Sequence, residues 1–134
     1  MRGTFYRASD FNGDISKWTV SSVTDMSVMF SNAEQFNGYI SNWDVSKVAT
    51  MHQMFALAAK FNQDISKWDV SRVTDMTSMF HQASAFSQTL CGAWSRPAES
   101  AMQTIFLGSS GKLCSGELII SWFVCMRVRD TRTM

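Results

Sequence analysis

The sequence contains only one proline and seven glycines in 134 residues, which excludes collagen-like proteins and flexible linkers. It also has no surplus of basic residues, since 12 lysines and arginines accompany 11 acidic residues. A nucleic-acid-binding domain of this length normally carries such a surplus, so we expect no nucleic-acid partner. The hydrophobic content of 46% excludes a disordered tail, and the length allows one domain with its own core.

Sequence motifs of catalysis and metal binding are missing as well. The chain has no phosphate-binding loop, no G-x-G-x-x-G motif and no C-x-x-C pair. The segment 108–111 does not match the G-x-S-x-G motif, which places a nucleophilic serine on a sharp turn. His52 and His81 have no cysteine or carboxylate at ligand spacing. We therefore expect no catalytic residues, no metal site, no cofactor and no enzyme activity.

Neither end of the chain carries a targeting or membrane-spanning signal. The apolar run at 118–128 is about ten residues long, whereas a helix across a bilayer needs roughly 20. It could be a weak membrane-surface anchor, an extra strand or a poorly ordered tail, and we favour the last two. No signal peptide opens the sequence, and Met1 occupies a position inside a repeat. This predicts a fragment of a larger array.

The chain consists of 25-residue units that follow one another without a gap. Three full units occupy residues 11–85 and begin with FNGDISKWTV, FNGYISNWDV and FNQDISKWDV. Residues 1–10 match the end of an earlier unit. Residues 86–114 form a degenerate unit that we expect to act as a C-terminal cap, and residues 115–134 match no part of the repeat. Residues at equivalent positions of successive units are called a column below.

Each unit combines two hydrophobic spacings. The second half has apolar residues at the spacing of one helix face, as in Val23, Met26, Met29, Phe30 and Ala33. In the first half, Trp and Val alternate with polar residues as in a very short strand. A unit this small must stack on its neighbours to bury its apolar face. We therefore predict an α/β fold, a right-handed leucine-rich-repeat-like solenoid of about four coils, each with a short parallel strand and a short helix. An array of helices alone is the alternative.

Stacked columns of Trp, Met and Phe are expected to form the core, because Met fills irregular gaps between packed units. These columns are Trp18, Trp43, Trp68, Met26, Met51, Met76, Met29, Met54, Met79, Phe30, Phe55 and Phe80. A base- or sugar-stacking role for the Trp column is the weaker alternative. The Asn column, formed by Asn12, Asn37 and Asn62, is expected to bond neighbouring turns and so to have a structural role.

Aspartates form three further columns, each interrupted by another residue type. They comprise Asp14 and Asp64, Asp44 and Asp69, and Asp25 and Asp75. Converging carboxylates could bind calcium. The more frequent role of such residues is to accept hydrogen bonds from turn N–H groups, and we favour that role here.

The string F-N-x-D-I-S-x-W-D-V-S-x-V-T-D-M-x-x-M-F resembles the repeat of BspA-like leucine-rich-repeat surface proteins, also known as a mycoplasma-type domain of unknown function. The resemblance covers about residues 1–114. It implies a secreted or surface-attached protein that binds proteins or mediates adhesion. In that oxidising setting we favour a disulfide between Cys91 and Cys114 over two buried free thiols. Cys125 would then be left unpaired.

These observations predict a non-catalytic repeat scaffold whose partner is an unknown protein or a cell-surface ligand. The chain is expected to be a monomer or part of a longer array, outside the cell or on its surface. Side chains that vary between units are candidates for the binding surface, namely 27–28, 52–53, 77–78, 31–32, 56–57 and 81–82. The alternatives are a passive spacer array, or a fragment of a larger protein whose enzymatic domain is missing.

Overall fold

The computed structural model describes residues 1–95 and 104–114. Strand β1 spans Thr89–Leu90, a short 3-10 helix spans Gly92–Ser95, and strand β2 spans Lys112–Leu113. The two strands pair in parallel, with Thr89 opposite Lys112. In the preceding units, isolated parallel bridges join the column of Asp25, Thr50 and Asp75. The remaining described residues form turns and irregular structure.

The predicted α/β fold, a right-handed leucine-rich-repeat-like solenoid of strand and helix, is therefore wrong. The described residues contain no α-helix, and the three full units at 11–85 contain no strand beyond the isolated bridges. The alternative of a helical array is wrong for the same reason. Part of the expected cap, at 96–103, and the tail at 115–134 with Cys125 lie outside the described residues.

Backbone hydrogen bonds explain why the segment at 26–33 is not a helix. The N–H group of Met29 donates to the carbonyl of Met26 at 3.3 Å, which closes a tight turn. The N–H group of Val28 instead donates to the carbonyl of His52 in the next unit at 2.8 Å. An α-helix requires consecutive N–H groups to bond the carbonyls four residues earlier. Donation of alternate groups to a neighbouring unit is incompatible with that pattern.

Backbone angles lead to the same conclusion. Val28 and Asn32 have φ values of 50° and 61°, in the left-handed region that a right-handed helix excludes. Gln53 and Leu57 repeat these angles one unit later, with φ values of 50° and 60°. Successive tight turns also bring residues three and four apart to one side. This explains how a non-helical segment came to have helical spacing in the sequence.

Hydrogen bonds between units recur at the period of the sequence. Phe30 donates its N–H to Met54 at 2.8 Å, and Phe55 donates to Met79 at 2.9 Å. The same bond joins Phe5 to Met29 at 2.9 Å and Phe80 to Ile105 at 2.8 Å. Neighbouring units therefore lie side by side in register, from the partial unit through to the degenerate one.

Phenylalanine rings pack in continuous stacks through the centre of the molecule. The ring centroids of Phe30, Phe55 and Phe80 are separated by 5.5 and 5.7 Å, with ring planes within 6° of parallel. Phe36 and its column form a second stack, with Phe36 lying 3.9 Å from Phe30. The Met residues assigned to the core are fully buried, namely Met26, Met29, Met51, Met54, Met76 and Met79.

The tryptophan column is divided between core and surface. Trp43 and Trp68 are 4% and 2% exposed, but Trp18 is 40% exposed, so its assignment to the core is wrong. The indole Nε1 of Trp43 donates to the carbonyl of Ile15 in the preceding unit at 3.2 Å. In the described part of the chain, no residue takes the place of Ile15 beside Trp18. Burial of this side chain thus depends on the unit before it.

Candidate functional site

Aspartate side chains at the turns accept hydrogen bonds from backbone N–H groups. Each one accepts a hydrogen bond from the N–H group two residues further on, which is the geometry of an Asx turn. The bonds run from Ser16 to Asp14, Ser27 to Asp25, Ser46 to Asp44, Ser66 to Asp64, Ser71 to Asp69 and Thr77 to Asp75, at 2.8–3.1 Å. Within residues 1–95 and 104–114, no group of three or more His, Cys, Asp or Glu is placed to hold a metal ion. The geometry therefore favours the turn role over calcium binding.

These hydrogen bonds lower the pKa of the carboxyl groups. At Asp44, the hydroxyl of Ser46 has the largest effect and its N–H group the next, and both lower the pKa below the ordinary value of 3.8. The hydroxyl and N–H of Ser71 lower the pKa of Asp69 in the same way. At Asp75, partial burial raises the pKa, but the hydrogen bonds from Thr77 outweigh it and the net shift is downward.

Acid should consequently destabilise the folded chain. A carboxyl whose pKa is lower in the folded than in the unfolded state stabilises the fold above the unfolded value of 3.8, and this contribution disappears as the pH falls through the folded pKa. We expect the melting temperature to decrease as the pH falls below the ordinary carboxyl value of 3.8. Asp44→Asn is the matched variant, because an amide keeps the turn acceptor and does not titrate. It should show a shallower pH dependence, and an unchanged slope would contradict the assignment.

Asparagines form a ladder along the stack. Asn37 donates its N–H to Oδ1 of Asn12 at 2.9 Å, and Asn62 donates its N–H to Oδ1 of Asn37 at 2.9 Å. The Nε2 atom of Gln63 adds a second donor to Oδ1 of Asn37 at 3.1 Å. Ser87 continues the ladder by donating to Oδ1 of Asn62 at 3.0 Å. This column joins the units to one another through side-chain acceptors.

Asn37→Ala should lower the free energy of unfolding by about 1 kcal/mol, because the N–H of Asn62 loses its acceptor. Asn37→Asp keeps an oxygen at the same place and should cost less. Urea denaturation of both variants measures the difference. An equal loss in the two variants would argue against the ladder.

The two histidines have different surroundings. Nδ1 of His52 lies 3.8 Å from Oδ2 of Asp75, and both side chains are well exposed. Nδ1 of His81 is buried and has no hydrogen-bond partner in the described part of the chain. Among the described residues, neither histidine belongs to a group of side chains that could hold a metal ion.

The predicted binding positions prove to be only partly accessible. Ser27, Ser31 and Ala56 are buried, so their interpretation as displayed side chains is wrong. The hydroxyl of Ser27 lies 3.0 Å from that of Thr50, and this contact joins two units. Leu57 is 36% exposed and Gln82 is exposed, as predicted for displayed residues.

Two further exposed residues lie at the same turns and were not among the predicted binding positions. Tyr6 and Leu107 are 47% and 57% exposed, and they share the column of Ser31, Ala56 and His81. They lie in the partial and the degenerate unit, where comparison of the three full units does not reach. The N–H of Gln82, which donates to the carbonyl of Leu107 at 2.7 Å, identifies the column of Leu107.

We define the turn ridge as the exposed and half-buried side chains of these two adjacent columns. It comprises Tyr6, Arg7, Asn32, Leu57, His81, Gln82 and Leu107. Arg7, Asn32, Leu57 and Gln82 have φ values of 59°, 61°, 60° and 53°. One backbone conformation therefore presents a basic, an amide and an aliphatic side chain in successive units.

Repeated backbone bonds with different side chains at one exposed edge define a repeat protein. The chain belongs to the family described as Mycoplasma protein of unknown function, DUF285, which matches residues 1–114. No curated protein and no solved structure matches it. In the part of the chain that the structure describes, no helix has the length and apolar character needed to cross a membrane.

Proposed function

We propose that the chain is a non-catalytic scaffold that binds a protein partner through the turn ridge. The observation that carries this proposal is the combination of a constant backbone with side chains that vary and are at least partly accessible. Leu57 replaces Asn32 one unit further on, while φ changes by only one degree, from 61° to 60°. Such a surface can change its specificity without altering the core.

The composition of the turn ridge supports a protein partner. Tyr6, Leu57 and Leu107 are large and exposed, and Tyr is enriched in protein interfaces because it provides rigid contact area with a polar end. Arg7 stacks over the ring of Tyr6, with its guanidinium carbon 5.2 Å from the ring centroid. Arg is likewise enriched at interfaces.

We further propose that the protein acts outside the cell or on its surface. The resemblance of the repeat to those of BspA-like surface proteins supports this location. The disulfide between Cys91 and Cys114, whose Cα atoms lie 4.9 Å apart, also supports it, because such bonds persist in oxidising compartments.

The redox state of these cysteines in the native source tests the proposed location. We expect mass spectrometry under non-reducing conditions to detect a peptide pair that contains Cys91 and Cys114. Reduction should release the pair and destabilise this end of the chain by about 3 kcal/mol. Two free thiols in freshly isolated protein would contradict the location.

Binding can be tested with the full chain immobilised as bait for cell-surface proteins. A captured protein is then purified, and its dissociation constant is measured by calorimetry. We expect saturable binding that Leu57→Ser and Tyr6→Ser each weaken at least about tenfold, because both remove apolar contact area.

Tyr39→Ser is the matched control, since Tyr39 is 56% exposed and lies outside the turn ridge. It should leave the dissociation constant unchanged. Equal effects of the two tyrosine variants would place the binding surface elsewhere. An absence of saturable binding would favour a passive spacer, and binding with turnover of the partner would favour an enzyme.

A further inference from the structure

Two of the three asparagines in the ladder are followed by glycine. An asparagine before glycine can lose its side-chain amide without an enzyme, because no side chain shields the glycine nitrogen and its backbone rotates freely. The three equivalent pairs are Asn12-Gly13, Asn37-Gly38 and Asn62-Gln63. The ladder therefore holds the same side chain in equivalent places beside different neighbours.

The backbone nitrogen of Gly38 is available for this reaction. Among the residues that the structure describes, its N–H group donates to no acceptor. No hydrogen bond has to open before a base removes the proton, so local unfolding is not required. Asn37 is exposed, which gives water access to the reacting groups.

The side-chain oxygen of Asn37 accepts two hydrogen bonds from the next unit. The N–H group of Asn62 donates to Oδ1 at 2.9 Å, and Nε2 of Gln63 donates to it at 3.1 Å. Negative charge develops on this oxygen when a nitrogen adds to Cγ, and donors at such distances stabilise that charge. Nε2 of Gln63 also donates to the main-chain carbonyl of Asn37 at 2.9 Å. This bond favours the deprotonated form of the adjoining Gly38 amide.

Asn12 has the same successor as Asn37 but fewer donors. Its Oδ1 accepts the N–H group of Asn37 at 2.9 Å. Gly38 occupies the position that Gln63 has in the next unit, and it has no side chain that could donate. In the described part of the chain, Asn12 therefore lacks the second donor.

Asn62 has both donors but a different successor. Its Oδ1 accepts the N–H group of Ser87 and Nε2 of Gln88, each at 3.0 Å. Its backbone continues into Gln63, whose side chain hinders attack by the nitrogen. Of the three ladder asparagines, Asn37 alone combines two donors with a following glycine.

We propose that Asn37 is a site of spontaneous deamidation that the neighbouring unit promotes. Hydroxide removes the proton from the N–H group of Gly38, and this nitrogen forms a bond to Cγ of Asn37. The bond from Cγ to Nδ2 breaks, and Nδ2 takes a proton from water and leaves as ammonia. The product is a five-membered succinimide ring. Water then opens the ring, at Cγ to give aspartate or at the main-chain carbonyl to give isoaspartate.

The two products affect the ladder differently. Both add a negative charge to a chain whose net charge is +1. Aspartate keeps an oxygen that can accept the N–H group of Asn62. Isoaspartate instead routes the backbone through the former side chain, so that Asn62 loses this acceptor.

Peptide mapping of the folded full chain after incubation at neutral pH tests the proposal. The ladder asparagines fall into separate tryptic peptides at 8–17, 18–47 and 61–67, and mass spectrometry detects the change from amide to acid. We expect Asn37 to react about fivefold faster than Asn12, as the loss of one hydrogen bond implies. Asn62 should react at least about tenfold more slowly than Asn37, because its successor obstructs the attack.

The chain unfolded in guanidinium chloride is the control. Asn12 and Asn37 both lie in the sequence Phe-Asn-Gly, so their rates should become equal once the ladder is lost. A folded chain in which Asn37 reacts no faster than Asn12 would overturn the proposal. The same conclusion would follow if Asn37 stayed unmodified when folded and reacted only when unfolded.

Gln63→Gly should have opposite effects at two sites of one chain. It removes a donor from Asn37, which should react about fivefold more slowly. It also places glycine after Asn62, which should react at least about tenfold faster. Rates that change in the same direction at both sites would contradict the proposal.

Gln63→Ala is the matched control, because it removes the donor without placing a glycine after Asn62. It should slow the reaction at Asn37 as the glycine variant does and leave Asn62 slow. Circular dichroism should show that the variants are folded. If Gln63→Gly does not fold, Gln63→Glu provides the test at Asn37, since it removes the donor and keeps the size of the side chain. An undiminished rate at Asn37 in a folded variant would overturn the role of the donor.

Discussion

Phe55→Ala is expected to lower the free energy of unfolding by about 3–5 kcal/mol. The ring of Phe55 is fully buried between Phe30 and Phe80, at 5.5 and 5.7 Å, and lies 3.9 Å from Phe61. Its removal leaves a cavity in both ring stacks, which the backbone bonds between units prevent from closing. Urea denaturation followed by tryptophan fluorescence measures the loss.

Phe5→Ala is the control, because Phe5 belongs to the same column. Its ring contacts Phe11 at 3.9 Å and Phe30 at 5.4 Å, but it is only partly buried. The expected loss is about 1–2 kcal/mol, in proportion to the smaller buried area. Equal losses at the two positions would contradict the packing described for the column.

Trp43→Ala should have an effect of similar size, about 3–5 kcal/mol. The side chain is 4% exposed, and its indole N–H bonds the carbonyl of Ile15 in the preceding unit. Trp43→Phe keeps much of the ring and removes only that hydrogen bond, so it should cost less than the alanine variant. The difference between the two variants separates packing from hydrogen bonding.

Trp18→Ala provides the comparison within the tryptophan column. Trp18 is 40% exposed, so its removal should destabilise the chain clearly less than removal of Trp43. The same denaturation experiment measures both variants. A loss at position 18 that matches the loss at position 43 would mean that Trp18 is covered in solution.

The predictions for Phe55 and Trp43 depend on side chains that recur in every full unit of the sequence. The Met and Phe columns could be assigned to the interior because large apolar residues recur every 25 positions. The turn role of Asp44 and the ladder role of Asn37 could be inferred in the same way, because their side chains act on nearby or equivalent backbone groups. These inferences require only the residue type and its period.

The secondary structure could not be inferred from the same pattern. The spacing of Met26, Met29 and Phe30 is compatible with a helix face and also with a chain of tight turns. The two conformations differ in the acceptor of the Val28 N–H group. Here that acceptor is the carbonyl of His52, in the following unit. Hydropathy carries no information about that partner.

The exposure of individual residues could not be predicted by comparing equivalent positions of the units. Trp18 has the same residue type as Trp43, but in the described part of the chain no residue of a preceding unit takes the place that Ile15 has beside Trp43. Ser31 and Ala56 vary as displayed residues would, yet both are buried. Tyr6 is exposed at an edge that comparison of the full units does not cover.

The sequence by itself determined the repeat period, the apolar columns and the family to which residues 1–114 belong. The tertiary structure decided the backbone conformation, the exposed edges and the side chains of the turn ridge. The physical reason is the range of the interactions. Hydrophobic burial follows from residue type, whereas the bonding of alternate N–H groups is set by a neighbour 24 residues away in the chain, as for Val28 and His52.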